Sequence, residues 1–353
     1  MLERKRTRGA NKYMRISLLV VFLGLMITVV VVFSKYQSIF TDNVEIEDEY
    51  VIFYIPIGYN YDEVWQKLDS LNILINKKSF QWVAEKKDYP EAVKPGRYKI
   101  KDGMSNNELV NMLRSGSQAP VMVVFNNIRT FQQLAGKVAT YLEPDSLEFL
   151  QMFLKEETAT KYGFTRETFP AMFIPNTYEM FWTSSPEAFT DRMFKEYESF
   201  WQSREKRREK IGMSRVEVST LASIVDEETF VDDENRRVAG LYINRLEKGI
   251  PLQADPTLKF ALGDFSRQRL INADKQIDSP YNTYKNKGLP PGPITIPSVS
   301  AIDAVLDYEK HNYLFMCARA DFSGYHAFAR TLKQHNANAA EYQRELNKRR
   351  IYR

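Results

Sequence analysis

The sequence predicts an α+β chain: one N-terminal membrane helix, a small module of βααβ order, and a larger domain of helices packed on a small sheet. Three observations predict it. Residues 16–33 (ISLLVVFLGLMITVVVVF) are 18 uncharged residues bracketed by Arg15 and Lys35. Between residues 50 and 100, two runs rich in Val, Ile, Tyr and Phe flank two segments of helical period. From about residue 130 the period is helical until residue 250, where Pro, Gly, Asn, Thr and Tyr take over and imply loops and short strands.

The apolar run spans about 27 Å as a helix, close to the hydrocarbon thickness of a bilayer. A cleavable signal peptide has a shorter apolar core followed by a small-x-small site, and "VVVVFSKYQSIF" holds none. The expectation is a retained anchor over residues 16–34. Residues 1–15 carry six Lys/Arg and one acid. By the positive-inside rule this tail stays in the cytoplasm and the rest of the chain lies outside. The tail also explains the formal charge of +4 over all 353 residues, because the remainder has 43 Lys/Arg against 44 Asp/Glu. A nearly neutral body argues against a nucleic-acid partner.

Residues 35–48 read as a polar, acidic linker. "YVIFYIPIG" (50–58) reads as a strand, "YDEVWQKLDSLNI" and "KKSFQWVAEKKDY" as helices, and "KPGRYKI" (94–100) as a turn and a strand. "MSNNELVNMLRSG" (104–116) is a helix, with Ser105 as its cap and Gly116 as its stop. These residues make a module over 46–118. In the larger domain (119–345), "PVMVVFNN" begins the second region. Helices are expected at "TFQQLAGKVATYL", "DSLEFLQMFLKEETATKYG", the long "SPEAFTDRMFKEYESFWQSREKRREKIG" (185–212), "MSRVEVSTLASIVDEETF" and "NRRVAGLYINRLEKG". No cofactor-binding motif is present. G-x-x-x-x-G-K-[ST] and G-x-G-x-x-G are absent, Ser223 lacks a G-x-S-x-G setting, and His311, His326 and His335 match no tight zinc spacing. No metal site is expected.

The chemistry concentrates in "LASIVDEET" (221–229), where an apolar run meets three consecutive acids. At helical spacing, Glu228 shares a stripe with Leu221, Ile224 and Val225, whereas Asp226 and Glu227 point elsewhere. A carboxyl on an apolar stripe is desolvated and holds its proton to higher pH, as a general acid requires. A satisfied ion pair at a helix end fits the same pattern.

Several short motifs occur in a fixed order: "LASIVDEET", "INRL" (243–246), "LQADPT" (252–257), "YNTY" (281–284), "GLPPGPI" (288–294), "HAF" (326–328) and "HN" (335–336). Upstream stand "KPGRYKI", "ELVNMLRSG" and "FIPNTYEM" (173–180). In these motifs the chain resembles the endolytic murein (peptidoglycan) transglycosylases, also called YceG-like. The resemblance implies that the 46–118 module is LysM-like and that 119–345 is the catalytic domain. It also implies that the chain cuts peptidoglycan glycan strands internally, outside the cytoplasmic membrane, beside peptidoglycan synthases as partners. The family's catalytic glutamate falls on Glu228, and the first acid of the same pattern on Asp226. Asn176 stands where the family usually has Asp, and Asn126-Asn127 replace the usual Glu-Gly.

The implied reaction needs one carboxyl. Glu228 protonates the oxygen between N-acetylmuramic acid and N-acetylglucosamine, and the same carboxylate, now basic, takes the proton from the muramic C6 hydroxyl, which attacks C1 to give a 1,6-anhydro sugar. Ordinary glycosidases need a carboxyl pair. Gln253, Asp255, Thr257, Asn282 and Tyr284 are candidates for hydrogen bonds to sugar and to Glu228, Tyr178 and Tyr281 for stacking on sugar faces, and His326 and Asn336 for ordering the last loops; loop scaffolding fits the polar residues as well, and core or rim packing fits the two tyrosines. Two rival readings stay open: a lysozyme-like hydrolase, and a non-catalytic glycan-binding scaffold of the wall-synthesis machinery.

Overall fold

A computed structural model describes residues 3–229, 231–267 and 270–349, with side chains from residue 12 onward. The start of the basic tail and Phe230 therefore lie outside the described residues. The chain divides into two units, Met1–Val121 with Phe181–Thr183, and the remainder.

The first unit begins with α1 (Glu3–Phe40), of which Lys12–Phe40 is long and apolar enough to cross a membrane. It continues with β1 (Tyr50–Ile55), α2 (Tyr61–Ser70), α3 (Lys77–Lys86), β2 (Gly96–Lys101) and α4 (Asn106–Ser115). The expected βααβ order is present. β1 and β2 pair antiparallel, with Tyr50 opposite Lys101 and Ile55 opposite Gly96. Alternate residues Phe53, Ile55, Tyr98 and Ile100 point into a core shared with Val64, Leu68, Phe80, Val83, Leu109 and Leu113. Ser105 caps α4 in a capping box with Glu108, and Gly116 ends it at φ 75°. The expected linker is corrected. Residues 35–40 continue α1, Asp42 and Val44 form bridges to Ser105 and Leu74, and Val44 is buried. Asn43 provides the reason. Its amide donates to Asn106 Oδ1 at 2.7 Å and to the Asn76 carbonyl at 3.1 Å, while its oxygen accepts from the Asn76 N–H, so the Asn43 side chain is buried with its polar atoms paired.

The second unit contains β3 (Val121–Phe125), which begins at the boundary, then α5 (Phe131–Ala139), α6 (Ser146–Leu154), α7 (Glu156–Lys161), β4 (Asn176–Met180), α8 (Pro186–Gln202) and α9 (Glu205–Ile211). It ends with α10 (Arg215–Glu228), α11 (Asn235–Glu247), α12 (Asp255–Leu262), α13 (Val299–Leu306), β5 (Phe315–Ala318), β6 (His326–Ala329) and α14 (Leu332–Lys348). β3 pairs with β4, and β5 pairs with β6 as an antiparallel hairpin. Its core includes a cluster of Phe131, Phe149, Phe153, Phe169, Phe173 and Phe189, with neighbouring ring centroids 5.3–6.5 Å apart.

Two expected single helices are each broken. Lys155 leaves the helical region at ψ 128°, which separates α6 from α7 and lets Phe153 bury in the aromatic cluster while Thr158 and Ala159 bury along another axis. The 185–212 helix breaks after Gln202. Ser203 Oγ donates to the Phe200 carbonyl, and the Arg204 guanidinium leaves the helix path to clamp Asp303 with two bonds of 2.9 Å. The region after 250 is richer in helix than expected. Asp255–Leu262 is α12, with a proline in its first turn and Gly263 stopping it at φ 67°. A C-terminal helix, α14, follows the hairpin.

Candidate active site

α10 is capped at its start by Ser214 and Glu217 and is buried all round from Val218 to Val225, Ser219, Thr220 and Ser223 included. The apolar stripe therefore does not single out Glu228; the end of the helix does. Thr229 turns extended at φ −136°, ψ 138°, so Glu228 is the last helical residue. The three acids take three directions. Asp226 accepts from the Ser298 N–H at 2.8 Å and its hydroxyl at 2.7 Å, where Ser298 caps α13. Glu227 takes both arms of the Arg129 guanidinium, each at 3.0 Å. Glu228 accepts one bond, from the Tyr242 hydroxyl at 2.8 Å.

Glu228 lines a cavity of about 290 Å³ together with Tyr242, Arg245, Gln253, Asp255, Tyr284, Phe315–Ala318, His326 and His335. Burial pushes its carboxyl up to about 7. The Tyr242 hydrogen bond opposes that shift, the charge of Asp255 adds to it, and Lys259 pulls against it. Its place at a helix C-terminus also disfavours the anion. Asp226 is raised as well, chiefly by burial, although its two bonds to Ser298 hold it down in part. Burial drives the Tyr242 hydroxyl far above its usual range, so it stays a donor to Glu228.

The cavity walls are built from loops stitched to helices. Gln253 sits in the left-handed region at φ 53°, held there by its N–H to the Thr283 carbonyl and by Arg245 Nη2, which donates to its side-chain oxygen at 2.6 Å. Tyr284 donates to Asp255 at 2.5 Å. Beneath them, Thr257 and Thr283 share a hydroxyl bond of 2.8 Å. Asn282 donates to the Lys275 and Ile277 carbonyls and accepts from the Tyr284 N–H. The β5 wall is placed by α11. A Cβ on Gly240 would collide with the Glu309 carbonyl oxygen. With glycine there, residues 309–313 lie across the helix, where Asn244 donates to the carbonyls of His311 (2.8 Å) and Tyr313 (3.0 Å).

Of the expected residues, Glu228, Gln253, Asp255, Tyr284 and His326 line one cavity. Thr257 and Asn282 are buried behind its wall. Asp226 ties α10 to α13. Tyr178 is buried, donates to the Ile174 carbonyl and packs on Phe125, and it is absent from the cavity lining. Tyr281 packs on Phe260 with centroids 4.6 Å apart. Asn336 is exposed on α14, beside His335, which does line the cavity. Sequence reasoning missed Tyr242, Arg245 and His335 as site residues. Tyr242 and Arg245 are three apart on α11, so they share a helix face, and "YINR" carries that signal. Both departures of sequence are accommodated. Asn127, in place of Gly, adopts φ 52°, which Asn tolerates better than other side chains. Asn176 uses its side-chain oxygen to accept from the Thr177 N–H at 2.8 Å, a bond an Asp could also accept.

A model described as the YceG-like family matches residues 53–341. The chain belongs to the YceG-like family. It is 28% identical over 308 residues to a protein of Bacillus subtilis (strain 168) named endolytic murein transglycosylase, covering 82% of this chain and 83% of that one. A Streptococcus pneumoniae protein of the same name is 28% identical over 328 residues, and the match spans 58% of its length. Among solved structures, a YceG-like protein of Listeria monocytogenes matches 82% of this chain and 98% of its own, at 27% identity and a TM-score of 0.55. For this YceG-like chain, the cavity at the end of α10 is the candidate active site.

Proposed function

We propose that this chain is an endolytic murein transglycosylase that cleaves the bond between N-acetylmuramic acid and N-acetylglucosamine within nascent peptidoglycan strands, limits strand length and leaves 1,6-anhydro ends. The observation that carries the reading is Glu228. It is a carboxyl pushed up to about 7, facing a sugar-sized cavity, in a chain whose relatives bear that name.

Near neutral pH a large fraction of Glu228 carries a proton. It gives that proton to the glycosidic oxygen, and positive charge develops at C1. Tyr242 keeps the carboxyl oriented and supports the anion formed when the proton leaves. The muramic C6 hydroxyl attacks C1, so no second carboxyl is required as nucleophile. Gln253, Asp255, Tyr284 and Arg245 bind the sugars, while Thr257 and Asn282 hold the wall from behind. Asp226 acts as a positioning residue through Ser298.

Residues 46–118 form a LysM-like module that binds or orients the glycan. α1 is a single-pass anchor with its basic end in the cytoplasm, which places the catalytic unit outside the membrane next to the growing strands and the synthases that make them. The test is mass spectrometry of the products from purified glycan strands. Internal fragments ending in anhydro sugar support the reading; reducing ends alone would mean that water attacked, and unchanged strands would point to a scaffold.

A further inference from the structure

The attacking C6 hydroxyl must lose a proton. Besides Glu228 after it has given up its own, the cavity lining offers Asp255, which already accepts from the Tyr284 hydroxyl, and two histidines, His326 and His335. Of the two histidines, His326 is held by a carboxylate that lies outside the cavity lining.

Glu234 belongs to the short 3-10 turn Asp232–Glu234 that leads into α11, and it is 2% exposed. It accepts from the His326 backbone N–H at 3.0 and 3.2 Å and from His326 Nδ1 at 2.8 Å. Among the described residues its ion-pair partner is this histidine, and no lysine or arginine pairs with it. Because a carboxylate only accepts, Nδ1 carries the hydrogen, and the neutral ring then presents Nε2 as a lone pair. Nε2 has no hydrogen-bond partner among the described residues, and His326 lines the cavity that Glu228 also lines. Both groups line the same cavity of about 290 Å³, a volume at the small end of ligand pockets.

With the transglycosylase reading as its premise, we propose that His326 is the base for the C6 hydroxyl and that Glu234 is its positioning residue. In the step, Glu228 transfers its proton to the glycosidic oxygen as the bond from C1 to that oxygen breaks. O6 forms the new bond to C1, and the O6 proton passes to His326 Nε2. The enzyme is left with Glu228 as carboxylate and His326 as imidazolium, which the buried Glu234 charge stabilises in the manner of a catalytic triad's carboxylate. Return of one proton from His326 to Glu228 through solvent resets the site, and no water is consumed. The same pair commits the reaction to anhydro product, because a bound C6 hydroxyl excludes water from C1.

The test counts anhydro and reducing ends by mass spectrometry after the full chain, purified in detergent, digests peptidoglycan glycan strands. Wild type should give anhydro ends. His326→Ala should lose about 10²-fold in rate, the scale of a misplaced reacting group, and reducing ends should rise as water competes. Glu234→Gln keeps the shape but removes the charge, and should lose about 10-fold with the same drift toward reducing ends. His326→Gln serves where His326→Ala fails to fold, with melting curves recorded for every variant. If the folded variants keep a wholly anhydro product, at any rate, the pair is only a brace for the β5–β6 hairpin and the proposal fails. Wild type giving reducing ends alone would instead overturn the transglycosylase reading, a different result from the same digest.

Discussion

At the scale of single residues, Glu228 trades stability for chemistry. Glu228→Gln removes the transferable proton and should cost about 10²–10⁴-fold in rate. Asp226→Asn and Glu227→Gln should cost much less, since each serves a structural partner. Anhydro-muropeptide release by the three variants on one glycan preparation decides this; a dead Glu227→Gln beside an active Glu228→Gln would reverse the assignment. The same substitution makes a stability prediction. The folded carboxyl keeps its proton up to about pH 7, whereas its ordinary value is 4.5. Between those values the folded chain binds more protons than the unfolded one, so Glu228 lowers stability as pH rises through that window. Glu228→Gln should therefore be closest to wild type at pH 4, below the window, and exceed it by about 2 kcal/mol at pH 8, a figure kept below the full shift because the residue is partly open to the cavity. Denaturant melts at both pH values provide the measurement, and equal stability at pH 8 would mean that the carboxyl is not desolvated.

Among the elements, α10 and α11 carry the site, and each is held in place by one small contact. Asp226 couples the end of α10 to the start of α13 through both donors of Ser298. Asp226→Ala leaves the half-buried Ser298 donors without that partner and should cost about 1–2 kcal/mol. Its activity loss should recover in part with Asp226→Asn, whose oxygen still accepts. On α11, Gly240 allows the run after α13 to cross the helix and deliver β5 to the cavity. Gly240→Ala should destabilise by about 1–3 kcal/mol through overpacking and should depress turnover more than Ala substitutions at solvent-facing positions of α11. A melt and a rate on the same preparation check both effects; an unchanged rate would mean that β5 does not need that crossing.

For the whole molecule, the consequence of α1 is location. Its apolar length is enough to span a bilayer, and its far end is tied to the rest of the first unit by the Asn106 amide, which donates to the Ser38 carbonyl at 2.8 Å, and by the Lys35 ammonium 3.9 Å from the Trp82 ring centre. The mature chain should keep residues 16–33, partition with membranes and require detergent for extraction. N-terminal sequencing of the membrane fraction checks this, and recovery of a soluble form lacking about the first 30 residues would overturn it.

The legible part was what depends on local pattern. An uncharged run of bilayer length, strand runs of period two, caps such as Ser105 with Gly116, and an acid at the end of an apolar helix are all written in neighbouring residues. The order of rare motifs pointed to the family. Where the reading failed, contacts distant in sequence had prevailed. The helix expected over 185–212 breaks because Arg204 reaches Asp303, and the linker at 42–44 is ordered because Asn43 meets Asn76 and Asn106. The cavity itself belongs to this second class. Glu228, Tyr242, Gln253, Tyr284 and His326 come from five separate stretches, and no period links them. Which of three adjacent acids is desolvated depended on what each one meets: Ser298 for Asp226, Arg129 for Glu227, and for Glu228 a single tyrosine at the end of a helix buried from Val218 to Val225. Desolvation and partner charge act through space over a few ångströms, and only the folded chain sets those distances.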